Sequence, residues 1–413
     1  MRRLLLAGGI AASAVLGLAA VLGGVHLAST VPAPQLSLDA PAEIAAAPGT
    51  APTVTAPSRG SMAIEAAPGE RLASVAAEDV RPIGSVTKVM TALAVLSSHP
   101  LAPAEQGPLL TMTDADVKLF HDEIARDGSA LPVHVGEQLS EHDLLLALLL
   151  PSANNAAETL AVWVSGSRQA FIASLNATAV TAGMSHTHFD DPSGFSSASV
   201  STASDLLLLG RAALASPTIA AIVATAQASL SDGTVVHNRD TLLGIVPGWL
   251  GIKTGETPQA GACLLFAARR PPSDGLGGPP VTLIGAVLGQ TVLGDAFDAA
   301  RRAVDSAMAG YITVRPGALI PAKGAAVTAV WDVRAPAHVQ VEVDPNAPAV
   351  LTLLRGTNLR LVTGRPPLRA PLRRGDEVGA ILGWLGTQQV VAWTVRLDGD
   401  LPGPSLTWRL LYG

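Results

Sequence analysis

The chain has 413 residues, 48% hydrophobic and 15% charged, with a formal net charge of -6 and one cysteine, Cys263. That length allows two or three domains with an ample core, and the composition excludes a charge-rich disordered chain. The single cysteine excludes an intramolecular disulfide and a cysteine-based zinc or iron–sulfur site, and the acidic balance argues against a nucleic-acid partner bound by bulk positive charge. Of 27 basic residues only four are lysine: Lys88, Lys118, Lys253 and Lys323. An amine that loses its proton is something arginine cannot supply, so these lysines invite scrutiny; chance retention on a surface is the plain alternative.

Arg2 and Arg3 precede an uncharged apolar run from Leu4 to about Val25. A basic start and an apolar run of that length describe an export signal or an uncleaved membrane anchor over residues 1–28, and place the remainder outside the cytoplasm. Residues 29–59, rich in Ala, Pro, Thr and Ser, read as a flexible linker. From 60 to 310, helical and β-like apolar runs alternate. Val86–Leu96, Asp143–Leu150, Ala156–Val164, Ser204–Leu214, Ile219–Gln227 and Asp295–Met308 read as helices, and Gly261–Ala267 and Val281–Leu288 as strands around a Pro/Gly-rich loop. The mixture is α+β, without the rhythm of a doubly wound sheet. From 311 to 413 the pattern changes to short strands: 338–343, 359–362, 389–397 and 406–411. This all-β domain carries 11 basic against 7 acidic residues. Its six arginines between 355 and 374, with no acid among them, read as a solvated face or as an attractor of an anionic polymer or lipid headgroups.

Three short motifs carry chemistry. Ser85-Val86-Thr87-Lys88 opens a predicted helix, where i and i+3 share a face. Serine needs an adjacent base; a lysine serves if burial lowers its pKa, and a helix N-terminus suits a developing oxyanion. Ser152-Ala153-Asn154 breaks two apolar helices, offering a proton-relaying hydroxyl and an amide for a substrate carbonyl, or else an ordinary turn and cap. Lys253-Thr254-Gly255 precedes a predicted strand. Lys253 offers charge for a substrate carboxylate and for keeping Lys88 neutral, Thr254 a hydroxyl, and Gly255 room for close approach; an ordinary turn is again the alternative.

Together and in this order, the motifs resemble the signature set of the penicillin-recognising serine acyltransferases. Arg81–Ala92, Gly136 to Ala157, His188–Gly194, Ser201–Leu206 and Gly251–Gly255 resemble, more narrowly, the D-alanyl-D-alanine carboxypeptidases of the penicillin-binding protein class, serine peptidase family S11, over residues 60–310. The resemblance implies a penicillin-binding protein/β-lactamase-like catalytic domain, an antiparallel sheet flanked by helices, followed by a small β domain. It implies Ser85 as acyl-ester nucleophile, Lys88 as base, Ser152 and Asn154 as relay and amide contact, and Lys253 and Thr254, with Gly255, as the carboxylate site. The backbone N–H groups of Ser85 and Glu256 form the implied oxyanion hole. No cofactor and no metal are implied. The implied partners are a peptidoglycan stem peptide ending in D-Ala-D-Ala, β-lactams as covalent inhibitors, and a membrane reached through the N-terminal segment.

Two departures stand out: Glu256 is acidic beside an anionic substrate, and Gly84 replaces the usual alanine, a change expected only to loosen packing. No C-terminal amphipathic anchor is evident, which shifts expected attachment to the N-terminus. The weighed alternatives are a β-lactamase, a D,D-endopeptidase and a catalytically inactive wall-binding relative. No Glu lies between Thr159 and Gly255, which argues against a class A β-lactamase, although Asp190, Asp191, Asp205, Asp232 and Asp240 remain possible water activators. His186, His188 and Asp190 are a weak zinc alternative, and Cys263 reads as a buried small residue.

Overall fold

The computed structural model describes residues 2–67, 69–103, 105–319, 321–332 and 336–412, with backbone alone for 2–11. Met1 and the side chains of Arg2 and Arg3, part of the expected export signal, thus lie outside the described residues. The chain divides into two compact units, Ala51–Tyr311 and Met1–Thr50 with Ile312–Gly413.

The first unit is built on a five-stranded antiparallel sheet of β1 (Ser61–Ala66), β2 (Glu70–Val75), β3 (Trp249–Thr257), β4 (Gly261–Arg270) and β5 (Val281–Gln290), in the order β3-β4-β5-β1-β2. Cys263, Leu265 and Ala267 of β4, with Ile284, Ala286 and Leu288 of β5, alternate along their strands and face one helical core. That core is supplied by α1 (Thr87–Ser98), α2 (Asp114–Ala125), α3 (Glu141–Leu149), α4 (Asn154–Ser165), α5 (Arg168–Thr181) and α6 (Ala203–Ala215). The short helix α7 (Pro217–Val223) follows α6, with Pro217 in its first turn. The opposite face takes α8 (Leu293–Met308), whose buried Ala296, Ala300, Ala303, Val304 and Ala307 form one stripe against β4 and β5.

Caps decide where the helices begin. Ser140 Oγ accepts from Asp143 N at 3.0 Å while Asp143 accepts from Ser140 N, so α3 starts at Glu141, two residues before the expected start. Thr202 caps α6 in the same way, its Oγ1 accepting from Asp205 N. The predicted helix 219–227 ends at Val223, and Gln227–Ser229 is a strand.

The second unit is a seven-stranded sheet, ordered Gln35–Asp39, Gly324–Thr328, Ala337–Val343, Gln388–Leu397, Glu377–Leu385, Asn358–Gly364, Glu43–Ala45. The expectation of a flexible linker over 29–59 is corrected here. Leu36 and Leu38 alternate into the β core, and both segments join the sheet as edge strands. The strand expected at 406–411 is also corrected: Leu406–Tyr412 is a helix. Ser405 Oγ accepts from Trp408 N at its start, and the alternation of Leu406, Trp408 and Leu410 with Thr407 and Arg409 is too short by itself to distinguish strand from helix. In the arginine-rich stretch, Arg360 lies over Trp384 and Arg374 pairs with Asp398 at 3.3 Å. The N-terminal apolar run is a helix, Arg2–Ala28. Among the described residues no single helix is long and apolar enough to cross a membrane.

Candidate active site

Ser85 sits on a 3-10 turn, Gly84–Val86, that leads into α1. Gly84 has φ +54°, a conformation that penalises any Cβ, and its carbonyl oxygen lies 1.9 Å from where a Cβ on Gly194 would stand. The turn that exposes Ser85 is therefore locked against the 191–195 loop. The expectation was that Gly84 loosens packing; its positive φ is instead a conformation that glycine adopts without the strain a side chain would bring.

One helical turn on, the fully buried Lys88 places Nζ 2.8 Å from Ser85 Oγ. Nζ also donates to Asn154 Oδ1 at 2.7 Å and to the Ser193 carbonyl at 2.8 Å. These last two oxygens only accept. A neutral amine has two N–H bonds and one lone pair, so the two acceptors take both N–H groups and the lone pair faces Ser85. Burial pushes the Lys88 amine down to about 7; Arg239 acts in the same direction, while Asp191, Glu123 and Glu158 act against it. With Lys253, the expected cation, the effect is mutual: the two amines disfavour each other's charged form.

The second motif is no ordinary cap. Ala153, at the N-cap of α4, makes no side-chain cap bond, and Asn154 N donates to Ser129 O. Ser152 is buried in a left-handed conformation, φ +70°, with an Oγ that has no partner among the described residues. Strain and an unpartnered buried hydroxyl are features that a folded chain retains where a ligand uses them.

The third motif lies within strand β3, directly before the expected strand, which is β4. Gly255 faces Cys263 in the register, and a Cβ on Gly255 would stand 2.5 Å from Ile83 O and 3.1 Å from Ser85 N. Only glycine lets β3 lie this close to the serine turn, where Glu256 N stands 3.2 Å from the position of a Cβ on Gly84. Lys253 is buried, its Nζ donating to Thr254 O at 3.1 Å. Burial, then the charges of Lys88 and Arg239, hold it well below the usual lysine range, with Asp240 opposing. No carboxylate forms an ion pair with it among the described residues.

Sequence reading missed Arg239 and Glu123, and named Asp191 only as a water activator. Arg239 reaches Ser129 Oγ at 3.1 Å and Glu256 Oε2 at 3.6 Å, so the acidic residue after Gly255 is partly offset by a neighbouring cation. Asp191 accepts from Ser193 Oγ, Gly194 N, Phe195 N and Ser199 Oγ, holding the loop that presents the Ser193 carbonyl. Glu123 accepts from Asn154 Nδ2 at 2.8 Å. The Thr113–Asp116 capping box announces its helix in the sequence, but not that helix's place beside Asn154. Cys263 is buried, which pushes its thiol up to about 11. His188 pairs through its backbone with Val200, and among the described residues no group of three or more His, Cys, Asp or Glu is arranged to hold a metal.

A family model described as D-alanyl-D-alanine carboxypeptidase matches residues 45–274. A D-alanyl-D-alanine carboxypeptidase of Streptomyces sp. (strain K15) is 34% identical over 271 residues, covering 60% of this chain and 86% of the relative. A D-alanyl-D-alanine endopeptidase of Escherichia coli (strain K12) is 34% identical over 194 residues, 45% of this chain and 59% of the relative. The crystal structure of the Streptomyces K15 DD-transpeptidase superposes with a TM-score of 0.54 at 29% identity, over 63% of this chain and 100% of that one.

Proposed function

The chain belongs to the D-alanyl-D-alanine carboxypeptidase family of serine peptidases, and from that premise we propose that Ser85 is the nucleophile removing the terminal D-alanine of peptidoglycan pentapeptides. The carrying observation is the Lys88 amine, buried, lowered to about 7 and turned by two carbonyl acceptors so that its lone pair meets Ser85 Oγ. Lys88 takes the hydroxyl proton as the Ser85 Oγ–carbon bond forms. The N–H groups of Ser85 and Glu256 receive the oxyanion. Lys253 and Thr254 hold the terminal carboxylate. The proton on Lys88 passes through Ser152 to the leaving nitrogen, the peptide C–N bond breaks, and free D-alanine departs. Water then hydrolyses the ester. A β-lactam presents the same carboxylate and carbonyl and leaves a lasting acyl group on Ser85.

Such a substrate lies outside the cytoplasmic membrane, so the catalytic unit works there, with the N-terminal apolar helix as signal or anchor. The test is release of D-alanine from a pentapeptide ending in D-Ala-D-Ala, alongside labelling by a fluorescent penicillin. Wild type is expected to do both and Ser85→Ala neither; a Ser85→Ala variant active at the wild-type rate refutes the assignment. Because relatives include endopeptidases, a cross-linked peptide dimer in the same assay measures that activity; faster cleavage of the dimer than of the pentapeptide reverses the assignment.

A further inference from the structure

Asn154 offers Lys88 either face of its amide, and the two faces have opposite consequences. With Oδ1 forward, as here, the amide accepts an N–H of Lys88. With Nδ2 forward, it donates, and claims the lone pair that Ser85 needs. The choice is made behind the amide. The Glu123 carboxylate, buried at 2% exposure, accepts from Asn154 Nδ2 at 2.8 Å, and an ionised carboxylate has no hydrogen to give.

Three features hold that carboxylate and the loop around it in place. Arg126 donates from Nε to Glu123 Oε2 at 3.0 Å, and its second nitrogen pairs with Oε1. The Gly128 N–H donates to Glu123 O at 2.8 Å. A Cβ on Gly128 would stand 2.3 Å from Glu123 Oε2, so the loop closes on the carboxylate only as glycine. The Arg126 guanidinium also lies 4.1 Å over the Phe195 ring. Phe195 is held by Asp191 two residues beyond the Ser193 carbonyl, the other acceptor of Lys88. One ion pair thus reaches both acceptors that orient the amine.

We propose that Glu123, braced by Arg126, is a positioning residue for the general base: it fixes the Asn154 amide so that the lone pair of Lys88 is left for Ser85. This rests on the assignment of Ser85 and Lys88 above. The groups facing Lys88 from elsewhere, Asp191, Glu158 and Arg239, and nearby Lys253, stay unchanged in the test.

The experiment measures acylation of the full-length protein by fluorescent penicillin from pH 5 to 9. Glu123→Gln, similar in shape but able to donate, is expected to lower the acylation rate roughly 100-fold, the size of a misplaced catalytic group. The midpoint of the pH rise is expected to move to lower pH, because a charge favouring protonated Lys88 is gone. Glu123→Asp is expected to recover part of the rate. Gly128→Ala, whose Cβ would stand 2.3 Å from Glu123 Oε2 and 3.0 Å from Asn154 Nδ2, disturbs this pair but keeps the charge, and is expected to slow acylation with the midpoint held. A folded Glu123→Gln or Gly128→Ala variant that acylates at the wild-type rate overturns the proposal; if Glu123→Gln fails to fold, Gly128→Ala decides it. Ser85→Ala in parallel separates the two readings: if it is inert while Glu123→Gln is unaffected, the positioning role alone fails.

Discussion

The interiors of the two units hold different groups. The unit formed by residues 1–50 and 312–413 buries an apolar core around Trp393, Val395, Ile381 and Leu359, and its buried polar residues among those described are Thr313 and Thr394. The unit of residues 51–311 buries ten charged residues among those described. Some complete the fold: Asp143 caps a helix, and Glu65 receives Arg211 at 2.9 Å. Lys88 and Lys253 do not, for neither has an ion pair among the described residues. A lysine is costly to bury without a partner, so its retention points to chemistry rather than to stability.

The comparison breaks first at Lys88. Lys88→Arg keeps charge and loses the titratable lone pair, and is expected to cut penicillin acylation by about 1,000-fold or more, within the range of general-base catalysis; a rate within tenfold of wild type would end the base assignment. In the wild type, acylation is expected to rise with pH through about 7 and then level, because the reactive form of Lys88 is the neutral one. At pH 5 the rate should be roughly 100-fold below the plateau, a tenfold step per pH unit. A profile flat from pH 5 to 8 contradicts this. Lys253→Met is expected to reduce kcat/KM for a D-Ala-D-Ala peptide about 10–100-fold, the worth of a charge-assisted hydrogen bond, with a peptide amidated at its C-terminus much less affected. In the other unit, Arg374→Ala removes an exposed pair with Asp398. The expected change is under about 0.5 kcal/mol by thermal melting, with acylation unaltered; a large effect there undoes the contrast between the units.

Helices with an apolar face were legible. α8 shows its stripe in the spacing of Ala296, Ala300, Ala303 and Ala307, and α1 in Val89 and Leu93. α2 was not, because its core contacts, Val117 and Phe120, sit among charged residues and its fully buried residue is the carboxylate Glu123. The segments around Leu36 and Ile44 also passed unread as strands. They are edge strands of five and three residues whose partners lie about 290 and about 315 residues later. β-pairing at such separation leaves little local trace.

The sequence by itself determined the reactive groups. Ser85 and Lys88 share a helical face at i and i+3, and the order Ser-x-x-Lys, Ser-x-Asn, Lys-Thr-Gly names the chemistry from residue types alone. Tertiary structure decided the charge state and the direction of each bond. The lowered pKa of Lys88 arises from burial, and its aim at Ser85 from Asn154 and Ser193, 66 and 105 residues away. The positions of Glu123, Asp191 and Arg239 were decided in the same way. Covalent spacing along one helix is local, whereas desolvation and hydrogen-bond direction depend on every segment that closes over the site.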